Sequence, residues 1–230
     1  MELREIFERK RDLKYDTSLW NPLFLHFYFV IKVVKNFFNS LPETELIIYD
    51  FGCGMKPYEV FCQNKKYIGV DIDAKNREAD ILADVSDVPV DDNVADVVVS
   101  FFLLEHVPNP QAVINEKYRI LKDNGQVFML IPLYWEEHEQ PYDFFRFTRF
   151  GIEMMLKKAG FKDIEIKEVN TGASMTGMLL VKLLNRRVIK ILIPLINIIF
   201  LKLELFVQKR AQVAGYNLSN VMTFSVIGKK

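Results

Sequence analysis

Short, unbroken apolar runs that end in an acidic residue constrain this chain more than any other feature. Leu46-Ile47-Ile48-Tyr49-Asp50 leads into Phe51-Gly52-Cys53-Gly54, and Tyr67-Ile68-Gly69-Val70-Asp71 is a second such run. Ala79 to Val85 is a weaker third, with Asp84 near its end; Asp96 to Phe101 is a fourth and Gln126 to Ile131 a fifth. Continuous rather than alternating apolar character predicts strands covered on both faces, as in a parallel sheet. Helices are predicted between them near 56–64, 74–78, 110–122 and 148–159. The last has Thr148 as cap, an apolar face of Ile152, Met155, Leu156 and Ala159, and Gly160 as its stop. Ile164–Val169 and Val221–Ile227 read as two further strands. Strands alternating with helices define an α/β fold, doubly wound around a mostly parallel, seven-stranded sheet.

The first strand hands over to the next element through Gly52 and Gly54. Glycine there lets the backbone turn tightly and approach a ligand, and a helix N-terminus favours negative groups. Asp71 follows Gly54 by seventeen residues, at the end of the second strand, where a carboxylate can accept both hydroxyls of a ribose. Asp84 ends the third run, where an acid can accept from an adenine amino group. Any one of these aspartates is compatible with a solvated turn. Asp50, Asp71 and Asp84 in order make a nucleoside cradle.

Five segments carry a family resemblance. These are Asp50-x-Gly52-Cys53-Gly54; Gly69-Val70-Asp71-Ile72-Asp73; Ala83-Asp84-Val85; Asp96 to Ser100 through Leu104-Glu105-His106-Val107; and Arg119 to Gln126, with Asp123-Asn124 where a Pro-Gly pair is usual. Tyr142 to Thr148, running into Ala159-Gly160-Phe161, adds a sixth. Together they resemble the class I S-adenosylmethionine-dependent methyltransferases, in the broad group related to the ubiquinone/menaquinone methyltransferases. The resemblance spans roughly 41–170 plus the last strand. It implies a Rossmann-like methyltransferase fold with S-adenosylmethionine as methyl donor. It also implies donor contacts from Asp50, Gly52, Cys53, Gly54, Asp71, Ile72, Asp84, Val85, Ser100 and Phe101.

Charge divides the chain. Thirty basic and thirty acidic residues sum to zero, but residues 41–170 hold fourteen basic and twenty-four acidic groups, whereas 171–230 hold nine basic and one acidic. An acidic middle suits a cationic donor and a basic tail suits a different partner. The organisation expected is a helical cap over 1–40, a donor-binding core over 41–170 plus 218–230, and an amphipathic helical insertion over 171–217, all in one domain. Two cysteines, Cys53 and Cys62, cannot build a disulfide framework and suit a reducing compartment. The aromatic stretch Trp20–Phe38 starts late, follows mixed charges and lacks a small-residue cleavage site, against a secretory signal.

A hydroxyl acceptor needs a base, whereas an enolate-like carbon or an amine does not. His106, after the fourth strand, and His138, in the loop after the fifth, are the catalytic candidates. The alternatives are a pocket-lining His106 and a solvated His138. Asp143 and Arg146 read as a pair that orders the same loop, and His26 as packing on an aromatic helix. No metal is expected: three scattered histidines offer no ligand spacing and neither cysteine has a CxxC partner.

The tail is aliphatic and basic. On a helical wheel Lys182, Arg186, Lys190, Pro194, Asn197, Glu204 and Gln208 share an arc of about 120°, with Leu and Ile over the rest. Pro194 should kink or split the helix. The uncharged run Ile191–Leu201 is eleven residues, short of the about 20 needed to cross a membrane. The segment 178–208 therefore reads as a peripheral membrane contact, as a lid or homodimer face, or as an acceptor channel. No nucleic-acid partner is expected, because the basic residues are diluted among aliphatics.

The function expected is methyl transfer to a small or lipid- or sugar-linked acceptor, O-methylation favoured, in the cytoplasm or on the inner face of the membrane. Two other classes compete: a donor-binding membrane scaffold without turnover, and a nicotinamide-dependent reductase. Pro57, where the third glycine of GxGxxG would stand, argues against the reductase.

Overall fold

A computed structural model describes residues 17–62, 64–183, 190–214 and 220–230. The strands are β1 (Ile47–Phe51), β2 (Lys66–Asp71), β3 (Ile81–Leu82), β4 (Ala95–Phe101), β5 (Leu121–Pro132), β6 (Lys162–Thr171) and β7 (Val221–Lys229). They form one seven-stranded sheet in the order β3-β2-β1-β4-β5-β7-β6. β1 pairs in parallel with β2 and β4, β2 with β3, and β4 with β5, whereas β7 runs antiparallel to β5. The α/β, mostly parallel architecture expected from the continuous apolar runs is the one found. Ile48, Val70, Val98, Val99 and Met129 are fully buried, as strands covered on both faces require.

The helices are α1 (Phe24–Ser40), α2 (Pro110–Ile120), α3 (Arg149–Ala159), α4 (Gly172–Leu183) and α5 (Ile193–Ala214). At α3 the Thr148 hydroxyl accepts from the Gly151 N–H, and Gly160 ends the helix in the left-handed region. Among the described residues of 56–64 the expected α-helix does not form; Glu59–Phe61 makes a 3₁₀ turn. Lys56 has φ +47° and Pro57 lacks an N–H, so no helical register can run on from the glycine turn. At 74–78 the chain makes a turn instead of a short helix, with the Asp73 carboxylate accepting from the Lys75 N–H.

The chain divides into two compact units. One comprises Phe38–Lys167 with Thr223–Lys230 and holds most of the sheet; the other comprises Met1–Phe37 with Glu168–Met222. In the second unit Val181, Ile193 and Ile196 form a core with Leu180 and Phe200 against it. Pro194 falls in the first turn of α5, where its missing N–H costs nothing.

The polar arc expected on this segment faces the opposite way in α5. Asn197 and Glu204 are fully buried. Asn197 donates to the carbonyls of Leu19 and Asn21, and Gln208 to the carbonyl of Val169 and the Glu204 carboxylate. Partners inside the unit draw these polar groups inward. The outward stripe carries Leu195, Ile199, Phe206 and Val213 together with Lys202, Lys209 and Arg210. Arg186 and Arg187 lie outside the described residues.

Candidate functional site

The C-terminal ends of β1 to β3 gather the expected donor residues. Gly52 and Gly54 have φ of +68° and +50°, so the turn needs glycine at both. The Val70 carbonyl accepts from the N–H groups of Gly52 and Cys53. The Asp71 Oδ2 accepts from the Gly54 N–H at 2.9 Å and from Asn76 Nδ2 at 3.1 Å, while its Oδ1 accepts from the Asp73 N–H at 3.0 Å. Three donors fix this carboxylate at the strand end. Apart from its chain neighbours, no atom of the described residues lies within 4 Å of where a Gly54 side chain would begin. Beside Asp71, Ile72 is 70% exposed, and Leu82 on β3 is 57% exposed. Asp84 is exposed, and its Oδ1 accepts from the Ser86 N–H and hydroxyl at 2.8 Å. An open glycine turn, oriented carboxylates and exposed apolar side chains fit a nucleoside-bearing donor.

Other expected donor residues have buried side chains engaged within the protein. Asp50 accepts the Tyr67 hydroxyl at 2.7 Å and is 1% exposed; burial pushes its carboxyl up to about 7. Ser100 is buried and receives a hydrogen bond from Lys117. Burial pushes the Lys117 amine down to about 7, and its Nζ sits 5.3 Å over the Phe51 ring. Burial also pushes the Cys53 thiol up to about 12, so it is neutral. Val85 is buried; the Phe101 ring is half-buried, 4.3 Å from that of Tyr58. A concavity of about 560 Å³ lined by Glu43, Glu45, Asn64, Lys65 and Lys66 opens at the other, N-terminal ends of β1 and β2.

Beyond β4 and β5 the fold brings the two candidate bases together. His106 closes the 3₁₀ turn Leu104–His106, and His138 lies in the loop after β5. Their Nε2 atoms are 3.0 Å apart with the rings edge to face. His106 Nδ1 contacts the Tyr142 carbonyl at 2.7 Å, and His138 Nδ1 the Glu136 carbonyl at 3.1 Å. Arg146 orders the loop: its guanidinium donates to both Asp143 oxygens and to the carbonyls of Trp135, Glu136 and Phe145. Asp143 in turn accepts from the His138 N–H, and Arg146 holds its carboxyl well below the usual range. The Glu105 carbonyl accepts from Phe144 and Phe145, tying the loop to the end of β4.

Sequence spacing missed Glu105. Its side chain is fully buried, and neither carboxylate oxygen has a hydrogen-bond partner among the described residues. Burial pushes the carboxyl up to about 8. One ligand atom each from Glu105, His106 and His138 lie within 4.8 Å of one another. The expectation of no ligand set looked for short spacings, whereas this cluster joins residues 32 apart through the parallel pairing of β4 with β5. The Glu-His pair directly after an apolar strand was the available signal.

Comparison with known proteins agrees with this architecture. Residues 49–129 match the family described as "Methyltransferase domain". A chloroplastic 2-methyl-6-phytyl-1,4-hydroquinone methyltransferase from Spinacia oleracea is 31% identical over 101 residues, 39% of this chain and 27% of that protein. A ubiquinone biosynthesis O-methyltransferase from Pseudomonas entomophila is 37% identical over 90 residues, 39% of this chain and 37% of that one. Across the curated relatives it matches, the chain spans between 26% and 45% of their length. The crystal structure of an S-adenosylmethionine-dependent methyltransferase from Archaeoglobus fulgidus superposes with a TM-score of 0.61 at 14% identity, covering all of both chains, a likeness of fold alone. With the motif order and the sheet order in agreement, residues 49–129 are similar to a methyltransferase domain, within a fold shared with a solved S-adenosylmethionine-dependent methyltransferase.

Proposed function

We propose that this chain transfers a methyl group from S-adenosylmethionine to a hydroxyl of a small or lipid-linked acceptor. The observation that carries the reading is the Asp71 carboxylate, fixed by three N–H donors beside the open Gly54 turn and the exposed Ile72. In this reading Asp71 accepts the ribose hydroxyls, Asp84 the base amino group, and Ile72 and Leu82 cover the base. Gly52 and Gly54 admit the backbone close to the donor. Asp50, Cys53, Val85, Ser100 and Phe101 act from beneath, as the packed floor of the turn. When bound, the donor supplies a sulfonium methyl open to in-line attack by an acceptor lone pair. Holding acceptor and methyl in line provides much of the rate, up to about 7–11 kcal/mol in favourable intramolecular systems. In this reading His106 and His138 face the acceptor hydroxyl.

The donor assignment is tested by calorimetry with S-adenosylhomocysteine. Asp71→Ala should weaken binding by more than about tenfold, the effect of losing about 1.4 kcal/mol. Unchanged affinity would sink the assignment.

For the acceptor, two matched relatives are named for a phytyl hydroquinone and for ubiquinone biosynthesis, which favours a hydroxyl on a lipid-linked ring. The second unit supports a membrane contact on the same grounds. Leu195, Ile199 and Phe206 are 54, 52 and 56% exposed, alternating with Lys202, Lys209 and Arg210. The Glu204 carboxylate, the one acid of the tail, is turned inward. Such a face suits the plane of an anionic bilayer interface. No helix among the described residues is long and apolar enough to cross a membrane. Labelled donor incubated with quinol-bearing lipid extract should yield a labelled lipid; donor binding without any labelled product would favour a scaffold.

A further inference from the structure

We propose that Glu105, His106 and His138 bind one divalent first-row cation, in a two-histidine, one-carboxylate site at the end of β4. The hydrogen bonds fix the chemistry. The Tyr142 and Glu136 carbonyls that meet the two Nδ1 atoms can only accept, so both Nδ1 atoms carry their protons. A neutral imidazole then has its lone pair on Nε2. The two Nε2 atoms stand 3.0 Å apart, with a Glu105 carboxylate oxygen 4.0 Å from His106 Nε2. Three potential ligand atoms converge within 4.8 Å of one another, and Glu105 is buried with both oxygens unpartnered among the described residues. A cation between them turns each of these contacts favourable.

The surroundings are those of a ligand set. Metal-bound histidines donate their other N–H to a carbonyl or carboxylate, which fixes ring and tautomer. His106 does so to Tyr142, and His138 to Glu136 with Asp143 Oδ2 at 3.3 Å. Arg146 holds Asp143 in its turn. With metal–nitrogen bonds of about 2.0–2.1 Å, an N···N separation near 3 Å suits two neighbouring ligands on one ion. Two imidazoles favour zinc, cobalt, iron or manganese over magnesium or calcium, and three protein ligands leave positions open. Only the ion's role toward an acceptor rests on the proposed transfer. There it would bind a hydroxyl oxygen, and the O–H bond would break with the proton passing to water.

The test is a cobalt(II) titration of the full chain after chelator treatment, followed by visible absorption. One equivalent should bind with ligand-field bands. Glu105→Gln, which keeps size and shape, and His138→Ala should each lower affinity by at least the roughly 10–100-fold lost when an outer-shell partner is removed. Circular dichroism and S-adenosylhomocysteine affinity should be retained in Glu105→Gln. Absence of stoichiometric cobalt, or binding that both variants leave unchanged, overturns the site. Failure of the donor reading shows separately, as cobalt binding without S-adenosylhomocysteine binding.

Discussion

Tyr67 on β2 donates its hydroxyl to Asp50 on β1 at 2.7 Å, so the aspartate that opens the glycine motif is satisfied from within the sheet. The bond favours the ionised carboxylate, against a burial that raises its pKa to about 7. Tyr67→Phe removes the donor and pushes Asp50 higher still, at a cost of about 1–3 kcal/mol. A raised folded-state pKa contributes stability below the unfolded value of 3.8, which is lost as pH rises through about 7. The variant's deficit in urea unfolding should therefore be larger at pH 8 than at pH 5. An equal deficit at both would mean that Asp50 does not feel the bond.

Glu204 of α5 gathers five donors: the N–H and hydroxyl of Thr171, the N–H and hydroxyl of Ser174, and Gln208 Nε2, all at 2.8–2.9 Å. Thr171 and Ser174 lie at the N-terminus of α4, whose first N–H groups have no partner within the helix. Glu204→Ala leaves buried donors unsatisfied and should cost about 3–5 kcal/mol, with Glu204→Gln less damaging. Urea midpoints of the two variants test this. A neutral alanine variant would show that water replaces the carboxylate.

Most of the sheet was legible because its central parallel strands are continuous apolar runs, and α3 because Thr148 and Gly160 mark its ends chemically. β5 begins at Leu121, five residues earlier than its apolar run, since Lys122-Asp123-Asn124-Gly125 has turn composition yet continues the strand with an irregularity opposite Ala95–Val97. The orientation of α5 was not legible. A wheel sorts residues by polarity, but the carbonyls of Leu19 and Asn21 that draw Asn197 inward lie more than 170 residues away. The Glu105–His106–His138 cluster was hidden for the same reason, being made by strand adjacency rather than by spacing.

His26 on α1 is 5% exposed, and burial lowers its pKa from 6.5 to about 3. The folded chain keeps it neutral while the unfolded chain protonates it below about pH 6.5. Its contribution is complete above that value and is lost as pH falls toward 3, reaching about 2 kcal/mol by pH 5. His26→Phe should flatten the stability profile between pH 6.5 and 4. The slope is the readout, because repacking shifts the level at every pH alike. A wild-type slope retained in the variant would assign the acid sensitivity elsewhere.

On the outward stripe of α5, Arg210 lies 5.4 Å from the Phe206 ring, and Lys202 and Lys209 flank the exposed Ile199 and Phe206. Each lysine near an anionic surface contributes about 1 kcal/mol, and a glutamate there is repelled by a similar amount. Lys202→Glu with Lys209→Glu should thus weaken binding to phosphatidylglycerol vesicles by about 2–4 kcal/mol, roughly thirtyfold or more. Wild-type binding should fall with added salt, and Phe206→Ser should weaken it even at high salt, where the apolar contact dominates. Flotation with vesicles separates the readings of this face. If the wild type stays unbound at low salt but sediments as a dimer that Phe206→Ser dissociates, the stripe is a subunit interface instead.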